Sequence, residues 1–149
     1  MNNKIIIING PNLNLLGERE QSQYGSITFD GLKEICTKKS NELGLDMEFV
    51  HSNIEGELVN IIQQSINKFD GIIINAAAFT HTSVAIRDAL DVFKKPIIEV
   101  HISNIYKREE FRQKSLISDI ATGGIFGLGI EGYILAIISI QKIIENENR

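Results

Sequence analysis

The sequence predicts an α/β protein in which a doubly wound, parallel, five-stranded sheet carries helices on both faces. Two isoleucine-rich runs, KIIIIN at 4–9 and IIIN at 72–75, lack the alternation of a half-exposed strand and read as strands buried on both faces. Between such runs, apolar residues recur at helical spacing. The two patterns alternate along the chain, as parallel strands joined by right-handed helical crossovers require.

The elements follow in order. Gly10-Pro11 ends the first strand, and a loop holding Gly17 and Gly25 leads to a helix over 29–43. Phe29, Leu32, Ile35, Cys36 and Leu43 form its apolar face, with Thr28 as N-cap and Gly44 as stop. A second strand spans 45–51, and Leu58, Ile61, Ile62, Ile66 and Phe69 mark the next crossover helix. After the third strand comes a helix over 83–93, capped by Thr82 or Ser83. A fourth strand at 97–101, a short fifth at 125–128 and a last helix over 129–145 complete the set. The strand order this implies is flavodoxin-like.

One domain accommodates all 149 residues, enough to bury about two-thirds of the unfolded surface without staples. Repeats, low-complexity stretches and linkers are absent from the sequence. A net charge of −4 and a pI near 5.4 supply no field for a phosphate backbone, which excludes nucleic acid as the expected partner. Arg19, Arg108 and Arg112 instead cluster in segments beside strand ends and suit a small anion. The lone Cys36 sits in an apolar helical pattern and reads as buried. No membrane-length run or signal-peptide pattern is present, so the cytoplasm is the expected compartment.

The fourth strand carries the clearest chemical signal. Residues two apart share a strand face, so Glu99, His101 and Ser103 align, with the carboxylate placed to orient the imidazole. They stand at the C-terminal end of a parallel strand, where open α/β sheets bind ligands. Asn12 follows the first strand, Asn75 and His81 the third. Arg108 and Arg112 have the i,i+4 spacing that one helical face would share.

Other classes fit less well. A hydrolase lacks a G-x-S-x-G elbow, a receiver domain lacks acidic residues after the first strand, and a flavin module lacks a Ser/Thr-rich phosphate loop. His51, His81 and His101 have no metal-ligand spacing, and GPNLNLLG matches no phosphate or dinucleotide cradle.

Taken in order, GPNLNLLG, the Arg19…Tyr24-Gly25 loop, SNIEGELV, THTSVAIRDAL, IEVHISN, REEFR and GLGIEGY resemble the type II 3-dehydroquinate dehydratases almost end to end. The resemblance implies one catalytic domain over 1–149 with a lid loop at about 18–25. It implies trans elimination of water from 3-dehydroquinate through an enolate, in the shikimate or quinate pathway, without cofactor or metal. Tyr24 matches the general base, Arg19 the lid arginine that stabilises the transition state with Arg108 nearby, and His101, oriented by Glu99, the general acid. Asn12 matches the residue holding a water against the enolate oxygen. Asn75, His81, Ile102, Ser103 and Arg112 match substrate-binding positions, and Asp88 one contributed by an adjacent subunit of a homododecamer built as a tetramer of trimers. Physics agrees with the base assignment: a free phenol is only about one part in a thousand ionised at neutral pH, so a tyrosine base needs a guanidinium beside it. The chain departs from the family at Ala76-Ala77, where Pro-Gly or Ala-Gly is common, and at Phe79, where tyrosine is frequent.

Overall fold

The computed structural model describes residues 1–18 and 26–148. Strands β1 (Lys4–Asn9), β2 (Asp46–His51), β3 (Gly71–Asn75), β4 (Ile97–His101) and β5 (Gly123–Phe126) form one parallel sheet ordered β2-β1-β3-β4-β5. This is the flavodoxin-like order expected from the sequence. Its winding reverses between β1 and β3, which opens a crevice at their C-terminal ends.

Strand periodicity divides the isoleucines between two cores. Ile5, Ile7 and Ile73 face helices α1 (Phe29–Glu42) and α4 (Glu131–Glu147), meeting Leu32, Cys36, Ala136, Ile137 and Ile140. Ile6, Ile8, Ile72 and Ile74 face α2 (Glu55–Ser65) and α3 (Val84–Val92), meeting Leu58, Ile62, Ile86 and Leu90. Because both faces are covered, β1 and β3 carry no polar alternation. Cys36 is buried in the first of these cores, and burial pushes its thiol up to about 12. Among the described residues no helix is long and apolar enough to cross a membrane.

Caps set the helix ends. Thr28 Oγ1 accepts from the Gly31 N–H at 3.0 Å, and Gly44 leaves the helix with φ +70°. Of the two residues available to cap α3, Ser83 does so, its hydroxyl accepting from the Ile86 N–H at 2.9 Å.

Three expectations are corrected. The fifth strand runs Gly123–Phe126 rather than 125–128, because Gly127 turns away with φ +82°. Its two leading glycines are poor strand formers and hid its start. The last helix begins at Glu131, since Gly129 also has positive φ. Arg108 and Arg112 do not share a helical face. They follow or end separate 3-10 turns, Ile105–Lys107 and Glu110–Arg112, divided by extended backbone at Arg108 and Glu109.

Gly10 fixes how closely the β1 and β3 exits approach. Its N–H donates to the Asn75 carbonyl at 2.8 Å, and a Cβ at Gly10 would lie 2.4 Å from the Ala76 carbonyl oxygen. Only glycine permits that contact.

Candidate active site

The exits of β1, β3 and β4 surround a cleft of about 140 Å³. Asn12 lines it from the first exit, Asn75, Ala77 and His81 from the second, and His101, Ile102 and Ser103 from the third. Arg108 and Arg112 close the far side despite lying on separate turns. Their guanidinium groups make the rim cationic and suited to a carboxylate. Arg112 also pairs with Glu109 at 2.7 Å and stacks on the Phe111 ring.

Glu99 and His101 lie on one strand face, as the alternation predicts, with Glu99 Oε2 2.6 Å from His101 Nε2. Both are buried. Burial raises the Glu99 pKa, but the hydrogen bond and charge of His101 and the hydroxyls of Ser118 and Ser115 outweigh it and hold the carboxyl below its usual range. Glu99 is therefore an anion facing the imidazole.

His81 stacks beside His101, with ring centroids 6.3 Å apart. Its Nδ1 lies 2.8 Å from the Lys114 carbonyl, an acceptor only, so Nδ1 carries the proton. Burial lowers the His81 pKa, the Lys114 bond opposes that, and His101 and Arg112 add to the lowering. At neutral pH His81 is accordingly a neutral ring with Nε2 available as an acceptor.

Asn75 is held from beneath by a relay of polar groups. The Ala77 N–H donates to Asn75 Oδ1 at 3.1 Å, and Asn75 Nδ2 donates to the Tyr133 hydroxyl at 3.0 Å. That hydroxyl donates to Asn9 Oδ1 at 2.7 Å, and Asn9 Nδ2 donates to the Val50 carbonyl at 3.0 Å. Backbone groups fix both ends of the relay, so the orientation of Asn75 is determined. Burial pushes the Tyr133 hydroxyl well above its ordinary pKa and keeps it neutral.

Asn12 and Ala77 are the non-glycine residues with positive φ among the described residues, at 72° and 52°, and both line the cleft. Asparagine tolerates that conformation, and the Asn12 N–H is tied to Asn53 Oδ1 at 2.9 Å. Alanine does not tolerate it. The Ala76-Ala77 step thus keeps the backbone shape a glycine would adopt and bears the strain. Ala77→Gly is expected to stabilise the fold by about 1 kcal/mol, the left-handed penalty less the glycine entropy. Urea denaturation checks this, and an unchanged or lower midpoint would refute the strain argument.

Arg19, Tyr24, Gly25 and most of the expected lid lie outside the described residues. Asp88 is exposed on α3 and does not line this cleft. The sequence reading missed Tyr133, Ser115, Ser118 and Asn53 as supports of the site. A signal existed for Tyr133: two buried isoleucine runs each end in asparagine, and the register pairs Asn9 with Asn75.

Fold and cleft together define a doubly wound α/β protein with a buried carboxylate–imidazole pair and two arginines at its switch point. The chain belongs to the class II dehydroquinase family, whose model, "Dehydroquinase class II", matches residues 3–141. It is 55% identical to the 3-dehydroquinate dehydratase of Endomicrobium trichonymphae over 134 residues, 90% of this chain and 94% of the relative. It is 52% identical to that of Prochlorococcus marinus strain NATL1A, over 95% of this chain and 97% of the relative. The crystal structure of type II dehydroquinase from Propionibacterium acnes is similar with a TM-score of 0.92 at 43% identity, covering 95% of this chain and 98% of that one.

Proposed function

We propose that this chain removes water from 3-dehydroquinate in the shikimate pathway, as a hydro-lyase working by trans elimination through an enolate. The observation that carries the reading is the buried Glu99–His101 pair opening onto a cleft rimmed by Arg108 and Arg112.

Tyr24, as phenolate, takes the proton from the carbon beside the ketone. The electron pair moves to the ketone oxygen, where a water held by Asn12 stabilises the enolate. The enolate then re-forms the ketone as the carbon–oxygen bond to the leaving hydroxyl breaks. His101 gives that hydroxyl its proton, so water departs and 3-dehydroshikimate remains. Arg19, with Arg108 nearby, lowers the cost of ionising Tyr24 and steadies the developing charge. Asn75, His81, Arg112 and the backbone at Ile102 and Ser103 position the substrate, whose carboxylate suits the guanidinium rim.

Asp88 completes the site of a neighbouring subunit. Its exposure on α3, away from its own cleft, supports that role. The assembly is a homododecamer, a tetramer of trimers, in the cytoplasm; light scattering that returned a monomer at micromolar concentration would refute it.

The direct test of the function is ultraviolet absorbance. Adding the protein to 3-dehydroquinate should produce the absorbance of the conjugated enone product. Binding of substrate with no growth of that absorbance would overturn the dehydratase reading.

A further inference from the structure

We propose that Ser115 is a positioning residue of this dehydration, committing Glu99 to its unprotonated form and thereby fixing the proton of the Glu99–His101 bond on Nε2; this rests on the dehydratase reading of the site.

A serine hydroxyl has one proton and two lone pairs. Ser115 Oγ accepts from the N–H groups of Ile117 and Ser118, each at 3.1 Å, so both lone pairs are occupied. Its proton goes to Glu99 Oε2 at 2.8 Å. The same oxygen faces His101 Nε2 at 2.6 Å. Accepting the Ser115 hydroxyl favours the charged carboxylate over the acid, so Oε2 keeps no proton to give to the imidazole. Nε2 is therefore the donor, and Nδ1 is the His101 nitrogen left to exchange a proton with substrate. Ser118 reinforces the arrangement by donating to Glu99 Oε1.

The segment carrying these serines is anchored. The Leu116 N–H donates to the Thr80 carbonyl at 2.9 Å, and Arg87 on α3 donates to the Leu116 carbonyl at 2.8 Å while pairing with both carboxylate oxygens of Asp119. Just before Ser115, the Lys114 carbonyl accepts a hydrogen bond from His81 Nδ1. Segment 114–118 thus commits one nitrogen on each of the two stacked imidazoles. Among the described residues, the titratable and charged groups around His101 are Glu99 on β4, His81 after β3, and Tyr106, Arg108 and Arg112 beyond β4. Ser115 bonds to Glu99.

Ser115→Ala is expected to lower kcat about tenfold with KM little changed, the effect of one hydrogen bond to a charged group. It should also move the pH profile of kcat, because a carboxylate stripped of a donor holds its charge less firmly against the imidazole. Ser115→Thr, which keeps the hydroxyl, should restore both. In a Glu99→Gln background Ser115→Ala should add nothing, since both act through one group. A loss of full size in that background, or an unmoved pH profile, overturns the proposal. If Ser115→Ala fails to fold, Ser118→Ala removes the donor to Oε1 and is expected to act with the same sign. Nitrogen-15 NMR of His101 needs no turnover: the neutral ring should be the Nε2–H tautomer, and an Nδ1–H ring would overturn the assignment. A wild-type protein that forms no enone would count against the dehydratase reading, and the tautomer would still decide the role of Ser115.

Discussion

Tyr24→Phe should lower kcat about a thousandfold while KM for 3-dehydroquinate stays near its wild-type value, in keeping with the loss of a general base. The substitution removes one oxygen and leaves the ring. The cationic rim at Arg108 and Arg112 remains, together with Asn75 and His81, so substrate binding persists. Only the step that takes the proton from carbon is lost. An unassisted phenol is about one part in a thousand ionised at neutral pH, so a tyrosine base needs a cation to favour its ionised form, the role the proposed reading gives to Arg19. Arg19→Lys should therefore also lower kcat, because lysine keeps the charge but not the planar fork. Steady-state kinetics with isothermal binding in parallel make the test. Turnover near the wild-type rate in Tyr24→Phe would remove Tyr24 as the base.

The fold was legible because its physics is local. Isoleucine runs bounded by Gly and Asp, helical spacing between them and Ser or Thr at helix starts specify buried strands and capped helices without tertiary information. The Glu99–His101 pair was legible for the same reason: a period of two puts alternate side chains side by side, and the 2.6 Å bond follows. What escaped depends on contacts between distant segments. Ser115 and Ser118 lie 16 and 19 residues from Glu99 and look like ordinary turn serines. Tyr133 lies 124 residues from Asn9 in an isoleucine-rich helix, where nothing local marks its hydroxyl as a partner of the strand-end asparagines. The shared face given to Arg108 and Arg112 failed because i,i+4 spacing has meaning only inside a helix, and extended backbone at Glu109 interrupts it. Both guanidinium groups still reach the cleft, brought there by two turns instead of one helix.

His101→Ala should lower kcat by about a hundredfold to ten-thousandfold through loss of the general acid, and it should also change how stability depends on pH. In the wild type, the Glu99 pKa is lowered on folding. Its contribution to stability is therefore present above the unfolded carboxyl value and is lost as pH falls through the folded one. Removing His101 takes away the main causes of that lowering and leaves burial, which acts in the opposite direction, against the hydroxyls of Ser115 and Ser118. Where burial wins, the folded pKa rises above the unfolded value. The sign then reverses, and the group favours the folded state more as pH falls. The variant should thus be destabilised by about 2 kcal/mol at pH 7, the cost of a buried carboxylate that has lost one partner and kept two. The difference from wild type should shrink by about pH 4, since the Glu99 of the variant takes up its proton at a higher pH than an ordinary carboxyl. Urea denaturation of both proteins at the two pH values measures it. A stability difference that is the same at both would mean that Glu99 does not depend on His101 for its charge, and that the pair does not hold the acid in place.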